Sequence, residues 1–202
     1  MRYSKDHKSR TRQRIVETAA RAFRSHGVDG VGVADLMAEA GLTHGGFYAH
    51  FASKDALVAE ACRHALDATV ETLAFRAEGA PSGDGLRTLV RTYLSRSHRD
   101  DAARGCIMPC LAGDIARGAP ATRHAVTEPL RRLVAVIAAH LPEAPPATRE
   151  RRALAVAASL VGALALARAV DDAAVSDAIL EATRGFVVDA ALAPERDVRT
   201  PG

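Results

Sequence analysis

The segment from Gly41 to Asp55 constrains the fold of this chain more than any other. It begins with a glycine, continues into a short aromatic stretch at 47–51 and ends in Ser-Lys-Asp, which is typical of a helix start. The eight residues before it, Val33 to Ala40, predict a brief amphipathic helix. Two short helices around a glycine-containing turn are the pattern of a helix-turn-helix, whose second helix enters the major groove of DNA. The segment therefore favours a DNA-binding regulator over an enzyme.

Composition and periodicity predict an all-α fold of about nine helices. Of the 202 residues 48% are hydrophobic and only 4% aromatic, with alanine and leucine in excess over β-branched residues. After a first helix from about Ser9 or Thr11 to His26 and the two short ones, the predicted helices span 54–77, 85–98, 105–117, 120–140, 148–170 and 175–193. We expect a basic arm and helix-turn-helix DNA-binding domain at 1–54, a helical ligand-binding and dimerisation domain at 55–193, and a disordered tail at 194–202.

Several classes of protein are disfavoured by what the sequence lacks. Residues 1–14 have no apolar core of a signal peptide, and the longest apolar stretch, 153–167, is short for a membrane span, so we expect a cytoplasmic protein without a membrane partner. Its odd number of cysteines, three, argues against a disulfide framework. Because no catalytic or zinc-binding motif is present, we expect no catalytic residue, no metal and no cofactor.

Positive charge is concentrated at the N-terminus. The net charge of the chain is +3, whereas residues 1–14 alone carry six basic side chains against Asp6. A basic arm beside a helix-turn-helix is suited to phosphate contact, which releases counterions. A solvated, frayed terminus explains the same composition equally well.

The N-terminal quarter of the sequence closely resembles the tetracycline-repressor (TetR) family of bacterial regulators. The resemblance runs from Arg12 to about Ala61 and includes the Tyr-x-His-Phe pattern at 48–51 followed by Lys54. It implies a homodimer that binds palindromic double-stranded operator DNA and releases it when a small-molecule inducer binds to the C-terminal domain. In such a two-state dimer, the helix at 54–77 would be the lever between inducer and DNA. Repression is the default for this family.

The resemblance also assigns candidate DNA contacts. Thr43 is a good N-cap for the recognition helix, and with His44 it is the candidate for base contact, whereas Gly45 allows the backbone to approach DNA closely. Tyr48 and His50 resemble the phosphate-contacting pair of the family, and Lys54 is a third candidate. For these last three the alternative is a solvated surface. Phe47 and Phe51 are interpreted as core residues.

The last two helices predict a dimer interface. The apolar stretch of the first is expected to be buried on most sides. Small residues recur along that helix and larger apolar residues along the last one, as in a four-helix interface made of two helices from each subunit; an intramolecular bundle is the alternative. The candidate interface residues are Ala155, Ser159, Gly162, Ala163, Ile179, Thr183, Phe186 and Val187.

The sequence Cys106-Ile107-Met108-Pro109-Cys110 is a second unusual passage. On a helix the two cysteines would share a face, although Pro109 would sit in the first turn or produce a kink. Three interpretations remain open: small buried hydrophobes, residues that line an inducer pocket together with Met108, or a thiol sensor whose pKa Arg104 lowers.

Two other functions compete with the regulator. A helical adaptor would use the apolar last helices to bind protein partners without regulated DNA binding. An enzyme is the weaker alternative, because the histidines near Asp35 are better explained by a DNA-facing surface.

Overall fold

The computed structural model describes residues 5–193, and this part of the chain consists of nine α-helices and two short 3₁₀ helices. The all-α fold predicted from the sequence is confirmed. Arg2 of the predicted arm and the predicted tail at 194–202 lie outside the described residues. In chain order the elements are α1 (Lys5–His26), α2 (Val33–Glu39), η1 (His44–Ala49), α3 (Lys54–Glu78), α4 (Gly85–Tyr93), α5 (Arg96–Asp100), η2 (Ala102–Arg104), α6 (Met108–Arg117), α7 (Pro120–Ala139), α8 (Pro146–Ala169) and α9 (Ala173–Leu192).

Local sequence signals set three of the helix ends. Gly27 and Gly41 have φ of +73° and +69°, a conformation that favours glycine, and they follow the ends of α1 and α2. Ser53 caps α3, since its hydroxyl oxygen accepts a hydrogen bond of 3.1 Å from the backbone N–H of Ala56. The predicted turn and the predicted cap are both confirmed.

Three predicted boundaries are wrong. Helix α1 already begins at Lys5, so most of the basic stretch forms its first turns rather than a separate arm. The stretch at 85–98 is two helices, because Ser95 accepts a hydrogen bond from the His98 N–H and starts α5. Helix α6 begins only at Met108, which leaves Cys106 outside it and Pro109 in its first turn without a kink.

Helix α3 connects the N-terminal helices to the rest of the chain. It packs against α1 on one side and along α7 on the other, and α8 packs between α7 and α9. Leu57, Ala61 and Leu66 of its predicted apolar stripe are fully buried. The N-terminal end of α3 therefore lies next to the helix-turn-helix, and the rest of α3 lies among the C-terminal helices.

Helix α8 is less buried than the sequence predicts. Val156, Leu160 and Leu164 lie in the core, but Leu154 and Leu166 are 51% and 60% exposed. This helix is long and apolar enough to cross a membrane by length and composition alone, and 39% of its most apolar window is buried against the rest of the chain. The expectation of burial on most sides is wrong for the protomer, and α8 instead presents an apolar face to solvent.

A candidate DNA-binding face and an adjoining cavity

The predicted recognition helix is a 3₁₀ helix. Its backbone forms tight bonds from the Gly46 N–H to the Thr43 carbonyl (3.0 Å) and from the His50 N–H to the Phe47 carbonyl (2.9 Å). A six-residue segment with two adjacent glycines gains little from the α-helical pattern, and short 3₁₀ turns are the usual alternative. Thr43 occupies the N-cap position as predicted, but its hydroxyl makes no capping bond, so the predicted capping role is wrong.

Aromatic side chains divide this segment into a buried and an exposed side. Phe47 and Phe51 are 1% and 2% exposed, and their rings stack with centroids 5.7 Å apart, which confirms both as core residues. Tyr48 contacts the edge of Phe47 but is 69% exposed. Thr43, His44 and Gly45 are exposed beside it. We call Thr43, His44, Gly45, Tyr48 and the neighbouring Lys54 the recognition face.

Nothing inside the chain requires a glycine at position 45. A Cβ atom there would meet no heavy atom within 4 Å, and the backbone φ is not in the left-handed region. Gly41, by contrast, needs its positive φ for the turn. Among the described residues, neither a steric contact nor the backbone conformation therefore requires glycine at position 45.

His50 lies at the edge of this face. Its Nδ1 atom is buried without a hydrogen-bond partner among the described residues. Burial lowers the pKa of the imidazole, and the nearby charges of Lys8 and Arg12 lower it further. The ring is therefore neutral at pH 7, and basic side chains of α1 lie close to it.

Arg12 has a structural role that sequence reasoning missed. Its guanidinium forms an ion pair with Glu60 of α3, donates to the carbonyl oxygen of His50, and lies 4.1 Å from the centroid of the Phe51 ring. These contacts hold the end of η1 between α1 and α3. The prediction of a phosphate-contacting arm includes Arg12; because its donors are occupied inside the chain, we correct that assignment.

Lys54 is the first residue of α3 and is partly exposed. No carboxylate in residues 5–193 forms an ion pair with it. Its ammonium and the free N–H groups of the α3 N-terminus are thus available to an anion from outside the chain.

Comparisons with known proteins agree with this geometry. Residues 15–61 match the family model described as bacterial regulatory proteins, tetR family. Over these residues the chain is similar to tetR-family regulators. The HTH-type transcriptional regulator TtgR of Pseudomonas putida is 37% identical over 94 residues, which are 46% of this chain and 44% of TtgR. The uncharacterised HTH-type regulator YerO of Bacillus subtilis is 28% identical over 44% of this chain and 32% of its own. The matched region thus spans less than half the length of these relatives.

Solved structures share the fold of this chain along most of its length. The reduced form of E. coli NemR superposes with a TM-score of 0.76 over 94% of this chain and 100% of its own, at 18% identity. A tetR-family transcriptional regulator from Cytophaga hutchinsonii gives a TM-score of 0.73 over 96% and 100%, at 21% identity. At such low identity these likenesses establish the fold alone.

A cavity of about 550 Å³ lies beside α1 and α3. Its walls come from α1, α3 and the segment from α4 to Cys106, so both halves of the chain line it. Its size is in the range of small-molecule sites. Of the candidate ligand residues, Cys106 lines the cavity, whereas Met108 and Cys110 do not, which corrects their predicted place.

The cysteines have the chemistry of buried thiols. Burial raises the pKa of Cys106, Cys110 and Cys62, in the last case to about 12. Cys110 lies 3.1 Å from the Nη1 atom of Arg168, while Arg104, the predicted activator, pairs with Asp101 instead. Raised pKa values disfavour the thiolate that a sensor needs, so the assignment to Arg104 is wrong and the buried-thiol interpretation fits best.

The candidate dimer residues fall into two groups. Phe186 is 72% exposed, Ala155 and Gly162 are exposed, and Ser159, Ile179 and Thr183 are partly exposed. Ala163 and Val187 are buried inside the protomer at 6% and 3% exposure, so they pack its core and their predicted place on the contact surface is corrected.

Proposed function

We propose that this protein is a ligand-responsive transcriptional repressor that binds a palindromic double-stranded operator as a homodimer in the cytoplasm. The observation that supports DNA binding is the recognition face. Its exposed side chains and its glycine surround a segment anchored by Phe47 and Arg12, and no side-chain hydrogen bond or ion pair in residues 5–193 occupies their polar groups. Exposed polar groups on a rigid support are what backbone and base contacts require.

The roles follow from position. Thr43 and His44 would contact base edges, the backbone at Gly45 would approach the groove, and Tyr48, Lys54 and His50 would contact phosphates. A neutral His50 at pH 7 would donate a hydrogen bond rather than a full charge. We assign DNA binding to residues 1–54 and ligand binding and dimerisation to 55–193.

The apolar face of α8 and α9 supports the dimer. Leu154, Leu166, Val175 and Phe186 are all large, apolar and about half exposed or more. Burying such side chains against a second copy would contribute about 25 cal/mol for each Å² of apolar surface. A two-fold dimer presents two recognition segments with fixed spacing, which is the arrangement that a palindromic operator selects.

Two hydrogen bonds connect α1 and the turn after it to the η2–α6 region of the proposed sensor half. The Nε of Arg24 in α1 donates to the carbonyl oxygen of Ala103 at 2.7 Å. Asp114 of α6 accepts a hydrogen bond of 3.3 Å from the N–H of Val28, just after α1. A ligand that changes the position of α6 or η2 would therefore act on α1 directly as well as through α3.

An electrophoretic mobility shift with the DNA upstream of the protein's own gene tests the proposal. We expect the wild-type protein to retard this fragment, and excess nonspecific DNA to leave the shift in place. Tyr48→Ala should weaken the shift, whereas Phe75→Ala, which removes an equally exposed aromatic ring at the far end of α3, should preserve it. If neither this fragment nor neighbouring promoters bind, the adaptor function is favoured and the repressor proposal fails.

A further inference from the structure

The cavity beside α1 contains a cation without a partner carboxylate. Arg24 lines the cavity and is partly buried, and its one hydrogen bond to the described residues is the contact with Ala103. Because that bond uses Nε, neither terminal nitrogen of the guanidinium has a hydrogen-bond acceptor among residues 5–193. Burial lowers the pKa of Arg24, and the nearby Cys110, Cys106 and Asp101 oppose this shift.

The other charged side chains of the lining each have a polar side-chain partner within the chain. Arg104 pairs with Asp101 at 2.6 Å, and Arg21 pairs with Glu39 at 3.6 Å, outside the cavity. Glu17 accepts a hydrogen bond of 2.9 Å from Gln13 on its own helix. The lining thus has three arginines against two carboxylates, Glu17 and Asp101, which is an excess of one positive charge, and Arg24 is the arginine among them without an ion pair in residues 5–193.

His98 does not supply a second cation. Its Nδ1 lies 2.6 Å from the carbonyl oxygen of Tyr93, and its Nε2 accepts the backbone N–H of Cys106 at 2.7 Å. An Nε2 that accepts must be unprotonated, so the ring is the neutral tautomer that carries its proton on Nδ1. Burial also lowers the pKa of His98.

The remaining lining combines an apolar wall with neutral polar side chains. Ala65, Ala68 and Leu73 of α3 contribute an apolar wall. Tyr93 is 1% exposed, and the thiol of Cys106 is the side-chain partner beside its hydroxyl. Because a thiol is only a weak hydrogen-bond partner, a ligand oxygen would be a stronger acceptor for this hydroxyl.

From these groups we propose that the cavity binds a small organic acid, with its carboxylate on the terminal nitrogens of Arg24 and its apolar body against α3. A guanidinium binds a carboxylate through two parallel hydrogen bonds, which gives both affinity and direction. Because Arg24 belongs to the helix that leads into the helix-turn-helix, the acid would act on the DNA-binding unit. That regulatory consequence rests on the proposed function, whereas the binding of the acid does not.

Calorimetric titration of the full-length protein without DNA tests the proposal. The probes are phenylacetate, 2-naphthoate and decanoate, each compared with its own primary amide, which keeps the shape and removes the charge. We expect at least one acid to bind about tenfold or more tightly than its amide. If every acid binds no more tightly than its amide, the proposal is overturned.

Matched variants locate the charge. Arg24→Met keeps most of the side-chain length and should abolish the preference for the acid, whereas Arg24→Lys should retain part of it. Arg87→Met removes an arginine of α4 that does not line the cavity and should leave the preference unchanged. A cooperative thermal transition must show that Arg24→Met is folded; if it is and still prefers the acid, the site is wrong.

The same samples separate this inference from the repressor proposal. Acid binding that depends on Arg24, in a protein that binds none of the tested promoters, would support the cavity site and reject the repressor. Normal operator binding without any preference for an acid would support the repressor and reject the cavity site.

Discussion

The recognition face and the segment at 95–107 use their polar groups in opposite ways. In the segment, Arg99 binds Ser176 and Asp177 of α9 at 2.9 and 2.7 Å. Arg168 of α8 donates to the carbonyl oxygens of His98 and Arg99 at 2.5 and 3.0 Å. On the recognition face, no comparable bonds connect the exposed side chains to the described part of the chain. Polar groups that are used internally define the scaffold, and those left over indicate where a partner binds.

The neighbouring aromatic residues Phe47 and Tyr48 provide the largest expected difference between a side chain of the scaffold and one of the recognition face. Phe47→Ala should lower the free energy of unfolding by about 3–5 kcal/mol, because it removes a fully buried ring. Tyr48→Ala should change it by less than about 0.5 kcal/mol, since the ring is mostly exposed, yet weaken DNA binding. Urea unfolding and fluorescence anisotropy measure the two quantities. Equal losses of stability in both variants would contradict the division into buried and exposed sides.

Gly45→Ala sharpens the contrast at a position with no internal constraint. We expect DNA affinity to fall about tenfold, which corresponds to about 1.4 kcal/mol, because a methyl group would hold the backbone away from the groove. The fold should be retained, since a Cβ atom there meets nothing within 4 Å. Gly185→Ala, at an equally open position in α9, should leave DNA affinity unchanged. Unaltered operator binding by the Gly45 variant would remove the argument from close approach.

His98 makes the 95–107 segment sensitive to pH. Its pKa is lowered in the folded chain by burial, so between that value and about 6.5 the unfolded chain binds more protons. Its contribution to stability is therefore present above about pH 6.5 and is lost as the pH falls through the folded-state pKa. Protonated Nε2 can no longer accept the Cys106 N–H.

Unfolding in urea at pH 7.5 and pH 5 measures this effect. Wild-type protein should lose more stability on acidification than His98→Gln, and the exposed-site control His26→Gln should behave like wild type. Identical pH dependence in wild type and His98→Gln would show that the imidazole is not held in its neutral form by these bonds.

Short-range signals account for what could be predicted from the sequence. Ser53 caps α3 through the N–H of Ala56, which is only three residues away in the sequence. Gly41 permits a turn that the neighbouring residues already specify. The buried Phe47 and the exposed Tyr48 likewise follow from one local motif.

Contacts between distant parts of the chain could not be predicted in the same way. In the sequence Arg12 is one of several basic residues near the N-terminus. Its structural role appears only in the fold, where α3 places Glu60, 48 positions further along the chain, in contact with it. The cavity needs walls from α1, α3 and the 95–107 segment at once. The exposure of individual leucines in α8 could not be predicted either, because it depends on how α7 and α9 pack against this helix.

The most direct test of the central claim is the salt dependence of DNA binding. Anisotropy titrations of the upstream fragment at several salt concentrations should give a steep linear decrease of log affinity with log salt for the wild type. Lys54→Ala should reduce the slope by about one ion, the contribution of a single phosphate contact, while Arg87→Ala leaves it unchanged. If Lys54→Ala bound the fragment with the wild-type slope, the recognition face would not contact the DNA backbone as proposed.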